Sequence, residues 1–330
     1  MSMKPRAMRD AFLERIYVEM ARDKHIFFIC ADFGSPVLDK IREQYPERFL
    51  NVGIAEQNLI NVSAGLAIEG YTVYAYAIAP FITMRCFEQI RVNLALLSVV
   101  RPMNVNLIGV GAGYSYVVSG PTHQCYEDLS IMRALPNIRI YSPADDITAG
   151  SLFDECQKYT TPKYLRLDAQ VLPSLYFDRA PDSDRGFEIH QEGGDVCLLA
   201  TGFMVHTALQ VAERMASAGT SVGVIDLFGI TDFDEAALLT EMQQYRGIVT
   251  LEEGFRGRGG LDSMMLDIAA NKEGLPPILN VGVNPGYSFE LGTRSELHEK
   301  VGIGVDSVLR SVVQFLDRIS KEKNRVVRES

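Results

Sequence analysis

Short apolar runs recur along this chain, and nearly every one is followed by a stretch with helical spacing. In the first half, Ile26–Cys30, Thr72–Tyr76, Asn104–Gly109, Ile138–Tyr141 and Lys163–Leu167 read as strands. Asn58–Ile68, Phe81–Leu96, Tyr126–Leu135 and Ile147–Lys158 read as the helices between them. Strands alternating with helices run parallel, because each helix carries the chain back to the same end of the sheet. The pattern lapses between Leu172 and Gly194, where Pro, Asp, Ser and Arg crowd together. It resumes with strands at Val196–Ala200, Ser221–Ile225, Gly247–Leu251 and Ile278–Val283, and helices at Val205–Ala218, Leu261–Ala270 and Val305–Ile319. The expected class is α/β, in two domains, each with a mainly parallel sheet flanked by helices. Residues 1–171 form the first domain, 172–194 a linker and 195–330 the second, and 330 residues suffice for two cores. The charged segment Ser320–Ser330 is expected to fray.

Charge and cysteine usage narrow the partners. The net charge is −10 without long runs of one sign, which argues against nucleic acid or an anionic membrane as a partner. Cys30, Cys86, Cys125, Cys156 and Cys197 are scattered and include no Cys-x-x-Cys pair, which suits a reducing, cytoplasmic setting. Arg6 to Arg22 reads as an amphipathic helix rather than a secretory signal. The uncharged stretch Gly70–Met84 is too short to span a bilayer, and Pro102–Tyr126 is broken by Asn, Gly, Pro121 and His123.

One carboxylate stands out. Phe49, Leu50 and Val52 lead as a short strand into Gly53-Ile54-Ala55-Glu56-Gln57-Asn58, and apolar residues with helical spacing follow. Glu56 therefore falls in the first turn of a helix, where the macrodipole favours negative charge, with no neutralising residue evident nearby. Such a group can share a proton with a bound partner, or it can be a helix-start glutamate facing solvent. Two more segments bear on the choice. They are Ala79-Pro80-Phe81-Ile82-Thr83-Met84-Arg85-Cys86-Phe87-Glu88-Gln89-Ile90-Arg91, and Ser119-Gly120-Pro121-Thr122-His123-Gln124 with Glu127 and Asp128 beyond it.

In this order and at these spacings, the three segments resemble the pyrimidine-binding domain of the transketolase family. That family includes transketolases and 1-deoxyxylulose-5-phosphate synthases, which depend on thiamine diphosphate. The resemblance runs from about Met8 to Leu316 and covers the second half of a full-length transketolase. It implies that Glu56 activates the cofactor aminopyrimidine by sharing a proton with its ring nitrogen, and that Phe81 stacks on that ring. It also implies that Ile78 forms an apolar wall, that Asp32 lies near the cofactor at a subunit interface, and that His123 lies beside the reacting carbon. Without the resemblance, Phe81 reads as a helix-start core residue and His123 as a loop histidine bonded to backbone.

The family's diphosphate and Mg2+ site is a Gly-Asp-Gly followed further on by Asn, and this chain has no Gly-Asp-Gly. The resemblance thus implies a partner: an N-terminal transketolase-like subunit carrying Gly-Asp-Gly…Asn, with Mg2+ bound through it, in an α2β2 assembly. Three departures concern substrate. Ser119 stands where transketolases carry Asp, Gly111 where a phosphate-contacting histidine falls, and Ala169 where an arginine is expected, with Arg166 close by as a substitute. Tyr114 and Tyr116 are expected to bring aromatic bulk into that loop, and the weaker phosphate site points to a non-standard sugar substrate. Gly109–Gly113 reads as a flexible active-site loop, Gly254–Gly260 as a turn into the following helix, and Glu252-Glu253 as structural. The expected function is the C-terminal subunit of a split, transketolase-like transferase moving a two-carbon ketol unit. A pyruvate-decarboxylating synthase subunit, a 2-oxoacid dehydrogenase β subunit and a non-catalytic interaction subunit are the alternatives.

Overall fold

A computed structural model describes residues 4–329, with side chains through Glu322. The strands are β1 (Ile26–Cys30), β2 (Phe49–Asn51), β3 (Thr72–Ile78), β4 (Val105–Val110), β5 (Arg139–Tyr141) and β6 (Lys163–Leu167) in the first domain. β7 (Phe187–Gln191), β8 (Val196–Ala200), β9 (Val222–Leu227), β10 (Gly247–Phe255) and β11 (Ile278–Val283) build the second. The first sheet has six strands in the order β2-β1-β3-β4-β6-β5, all parallel. The second has five in the order β11-β10-β8-β9-β7, parallel except for β7.

Helices cover both faces of the first sheet, which is why β1, β3 and β4 read as continuous apolar runs rather than alternating ones. Phe12 and Ile16 of Met8–Met20, Val37 and Leu38 of Pro36–Gln44, and Leu152 and Phe153 of Asp146–Lys158 pack under Tyr74 and Tyr76. Leu59, Ile60 and Ala64 of Glu56–Ile68 cover the opposite face beneath Val73, Ala75 and Ala77. That second layer is continuous with the other domain. Leu129 and Met132 of Asp128–Arg133 share a core with Leu261 and Met265 of Leu261–Asn271 and with Cys197 and Leu199 of β8.

The structure departs from the sequence expectation in three elements. The single helix expected over Phe81–Leu96 is two π-helical stretches, Phe81–Arg85 and Ile90–Leu96, around a short α turn at Phe87–Gln89. Side chains there bond to the backbone: the Thr83 hydroxyl donates to the Ala79 carbonyl at 2.7 Å and the Cys86 thiol to that of Ile82 at 2.8 Å. The expected linker holds a strand, β7, paired antiparallel at the sheet edge and masked in the sequence by flanking turn formers. Earlier in that stretch, the backbone N–H groups of Leu175 and Tyr176 donate to Asp145, which also caps the helix Asp146–Lys158. The closing helix does not end near Ile319 but runs to Glu329. Among the described residues, no helix is long and apolar enough to cross a membrane, and all five cysteines are buried and free.

Candidate active site

β1 leads to β2 on one side and, after β2, the chain crosses to β3 on the other. The strand order thus reverses at β1, and such a reversal opens a crevice at the carboxyl ends of the strands. The segments singled out from the sequence leave those ends. Asp32 follows β1, Glu56 follows β2, Ile78 ends β3 with Phe81 just beyond, and the loop bearing Ser119 and His123 follows β4.

Glu56 is only 2% exposed, and one Arg85 nitrogen donates to both of its oxygens, at 2.8 and 2.9 Å. This overturns the expectation of an unneutralised carboxylate. Arg85 lies 29 residues away, and the π turn brings it there. The Arg85 guanidinium carbon also stands 4.3 Å from the Phe81 ring centroid. The Phe81 ring meets His123 edge to face at 5.3 Å, and His123 meets Tyr116 at 6.3 Å. The Thr122 hydroxyl lies 3.0 Å from His123 Nδ1 and steadies the imidazole. Glu56, Arg85, Phe81, His123 and Tyr116 are therefore one unbroken chain of contacts beyond the carboxyl ends of the strands. Ile78 is half-buried beside them and Ser119 is exposed at the loop tip.

Asp32 takes a φ of 46°, a strained value for a residue with a side chain. Asn51 holds it there: the Asp32 N–H donates to Asn51 Oδ1 at 3.1 Å and Asn51 Nδ2 donates to Asp32 Oδ1 at 3.2 Å. The side chain stays exposed at the mouth of the crevice.

Two expected site residues lie elsewhere. Arg166 is buried on β6, next to the edge strand β5, where Nε donates to Asp128 at 2.8 Å and Nη2 to the Glu253 carbonyl at 3.2 Å. It cannot reach a substrate in the crevice, because its register on β6 aims it between the domains. Tyr114 is likewise buried, packed on Tyr126 and His298 at 4.9 and 5.4 Å. Only Tyr116 brings its ring to the loop surface. Its ring lies directly over Gly111, whose φ is 107°, so a side chain at that position would meet both strain and the ring. The Gly109–Gly113 stretch is accordingly packed rather than loose: Gly109 belongs to β4, and Gly113 is bridged to Cys125. Sequence reasoning also passed over Arg9, on the helix Met8–Met20. Burial lifts the Tyr116 phenol to about 12, and Arg9 is the cation that pulls it the other way. The signal for Arg9 was weak, since an arginine at the start of an amphipathic helix is ordinary surface sequence.

Comparisons with known proteins cover both domains. Residues 4–174 match the family model for the transketolase pyrimidine binding domain, and residues 186–308 match that for the transketolase C-terminal domain. The chain is 30% identical to the 6-deoxy-6-sulfo-D-fructose transketolase subunit SqwH of Clostridium sp. (strain MSTE9), over 94% of this chain and 95% of that one. It is 29% identical to a subunit of the apulose-4-phosphate transketolase of Actinobacillus succinogenes, over 81% of this chain and 84% of the relative. Among solved structures, a split gene transketolase described as an inactive β4 tetramer superposes with a TM-score of 0.82 at 28% identity, covering 95% of this chain and 99% of that one.

Proposed function

This chain belongs to the transketolase family, and we propose that it is the C-terminal subunit of a split transketolase that moves a two-carbon ketol unit between sugars. One observation carries the reading of the site. The Arg85 guanidinium is a planar N–H donor lying over the Phe81 ring while donating to both oxygens of the buried Glu56. A flat heterocycle with a ring nitrogen toward Glu56 would take both places, with one proton shared between that nitrogen and the carboxyl, so the residues present fit an aminopyrimidine. Arg85, with a side chain 43% exposed, has solvent to swing into when such a ring enters.

Thiamine diphosphate, when bound, supplies the carbanion chemistry of ketol transfer. The chain supplies position and proton control. Glu56 holds a proton against the pyrimidine ring nitrogen in a dry pocket, where a charge-assisted hydrogen bond is strong. The Phe81 face orients the ring, contributing roughly 0.5–1.5 kcal/mol beyond burial. Ile78 walls the ring, and Asp32 borders the cofactor where the partner approaches. His123 meets substrate oxygens beside the reacting carbon, with Ser119 further out on the same loop. The missing Gly-Asp-Gly…Asn belongs to an N-terminal partner subunit, which brings Mg2+ and the diphosphate contacts in an α2β2 complex.

The substrate is proposed to be a specialised sugar. Gly111 and Ala169 remove two cations from the phosphate end, and Tyr116 fills the space over Gly111. The relatives named for a sulfo-sugar and for apulose 4-phosphate support this class. Glu56→Gln tests the reading in the complex purified from its own cells. The expected result is a loss of turnover of at least about a hundredfold with an unchanged melting temperature. Turnover near that of the unaltered complex would contradict it.

A further inference from the structure

The loop that carries His123 closes on itself before it reaches the site. Gly113 and Cys125 exchange backbone hydrogen bonds at 2.9 and 3.0 Å, forming the neck of a hairpin whose arm holds Tyr116, Ser119 and His123. That neck rests on the second domain. The Tyr114 N–H donates to Glu253 Oε1 at 3.2 Å, and the Phe255 N–H donates to the Tyr126 carbonyl at 3.3 Å. Gly113 lies so close that a side-chain carbon added there would run into the Glu253 carboxylate.

Glu253 is itself fixed in place. Arg294 donates to it through Nε at 3.0 Å and Nη2 at 2.6 Å, and His298 Nε2 lies 2.6 Å from its Oε1. Arg294 Nη1 stands 2.6 Å from Asp168, which follows β6, an ion pair without hydrogen-bond alignment. Arg166 completes the set through Asp128 and the Glu253 carbonyl. All six side chains are buried. An apolar cluster would join two domains at less desolvation cost, so a buried charge set of this size is better suited to fixing a geometry than to adding stability.

We infer that Glu253, held by Arg294 and His298, is a positioning residue for the reaction: from the second domain it fixes the neck of the hairpin that presents His123 to the crevice. This gives the C-terminal domain a part in the chemistry, and it rests on the reading of His123 as a substrate-side group. A hairpin released at its neck swings its arm, and a displacement of about 1 Å at a reacting centre is enough to cost roughly a hundredfold in rate.

The test uses two variants that approach the contact from opposite sides, Glu253→Gln in the platform and Gly113→Ala in the neck. Amide hydrogen exchange of the full chain should show residues 114–126 exchanging at least about tenfold faster in either variant, with β8, β9 and β10 unchanged. In the native complex, turnover should fall roughly ten- to a hundredfold while thiamine diphosphate affinity stays constant. Unchanged hairpin exchange in both variants would overturn the inference. So would a loss of protection spread evenly through the second sheet, or a loosened hairpin with full turnover. If Glu253→Gln does not fold, Gly113→Ala decides alone. The exchange readout does not depend on the catalytic reading, which Glu56→Gln tests separately.

Discussion

A carboxylate that is 2% exposed and held through both oxygens by one guanidinium has exchanged its water for that cation. Removing Arg85 therefore has opposite consequences in the two states of the protein. In the cofactor-free chain, Arg85→Met leaves Glu56 buried without a partner. Breaking a buried pair costs about 3–5 kcal/mol, and the half-exposed guanidinium reduces this to about 1–2 kcal/mol, to be read from urea unfolding. In the assembled enzyme the substitution removes a competitor for the Phe81 face. Thiamine diphosphate should then bind about five- to thirtyfold tighter, the same 1–2 kcal/mol expressed as affinity. Weaker cofactor binding would mean that Arg85 stays on Glu56 throughout. Glu56 was legible in the sequence because a strand lead-in and helical spacing fix its place. Arg85 was not, since an ion pair across 29 residues depends on a π turn that no residue pattern announces. Arg166 was misassigned for a related reason: proximity in sequence to an aligned position says nothing about which face of a strand a side chain takes.

At the level of elements, the adjacent Glu252 and Glu253 on β10 behave oppositely although both are buried. Burial pushes Glu252 up to about 7, against the N–H groups of Asp262 and Leu261, which it accepts at 2.9 and 3.1 Å at the start of the helix Leu261–Asn271. Burial also acts to raise Glu253, but Arg294 and His298 outweigh it and hold that carboxyl well below its usual range. The signs follow by linkage. Between the unfolded value near 4.5 and about 7, folding takes up a proton at Glu252, so its contribution is full below that window and is lost as pH rises through it. Glu253 contributes above its unfolded value, and that contribution is lost as pH falls toward its depressed folded value. Unfolding free energy measured from pH 5 to 8 should therefore decline less steeply with rising pH in Glu252→Gln than in the unaltered chain. Equal slopes would contradict the assignment. Most strands and helices were legible because both faces of each sheet are covered, which leaves long apolar runs bounded by turn formers. β7 was not legible, because an antiparallel edge strand five residues long needs only its pairing with β9 to exist.

At the scale of the molecule, the two sheets share one apolar core, and the charge set around Glu253 joins them beneath the His123 hairpin. The family and the two-domain plan could be read from three motifs and an alternating pattern. The clamp between the domains could not, since its members come from β6, β10, the helix Asp128–Arg133 and the helix Arg294–Val301, which only the fold brings together. On the proposed reading, the chain carries half of a cofactor site: a buried acid, a ring to stack on and a histidine, with no Gly-Asp-Gly for the diphosphate. The most direct measurement is to purify this chain under native conditions from its own cells, identify any stoichiometric companion by mass spectrometry, and assay the assembly for thiamine diphosphate and magnesium. The account predicts a companion bearing Gly-Asp-Gly…Asn, with both bound to the complex and neither to this chain alone. A chain without a companion, or a complex that holds no thiamine diphosphate, would contradict it.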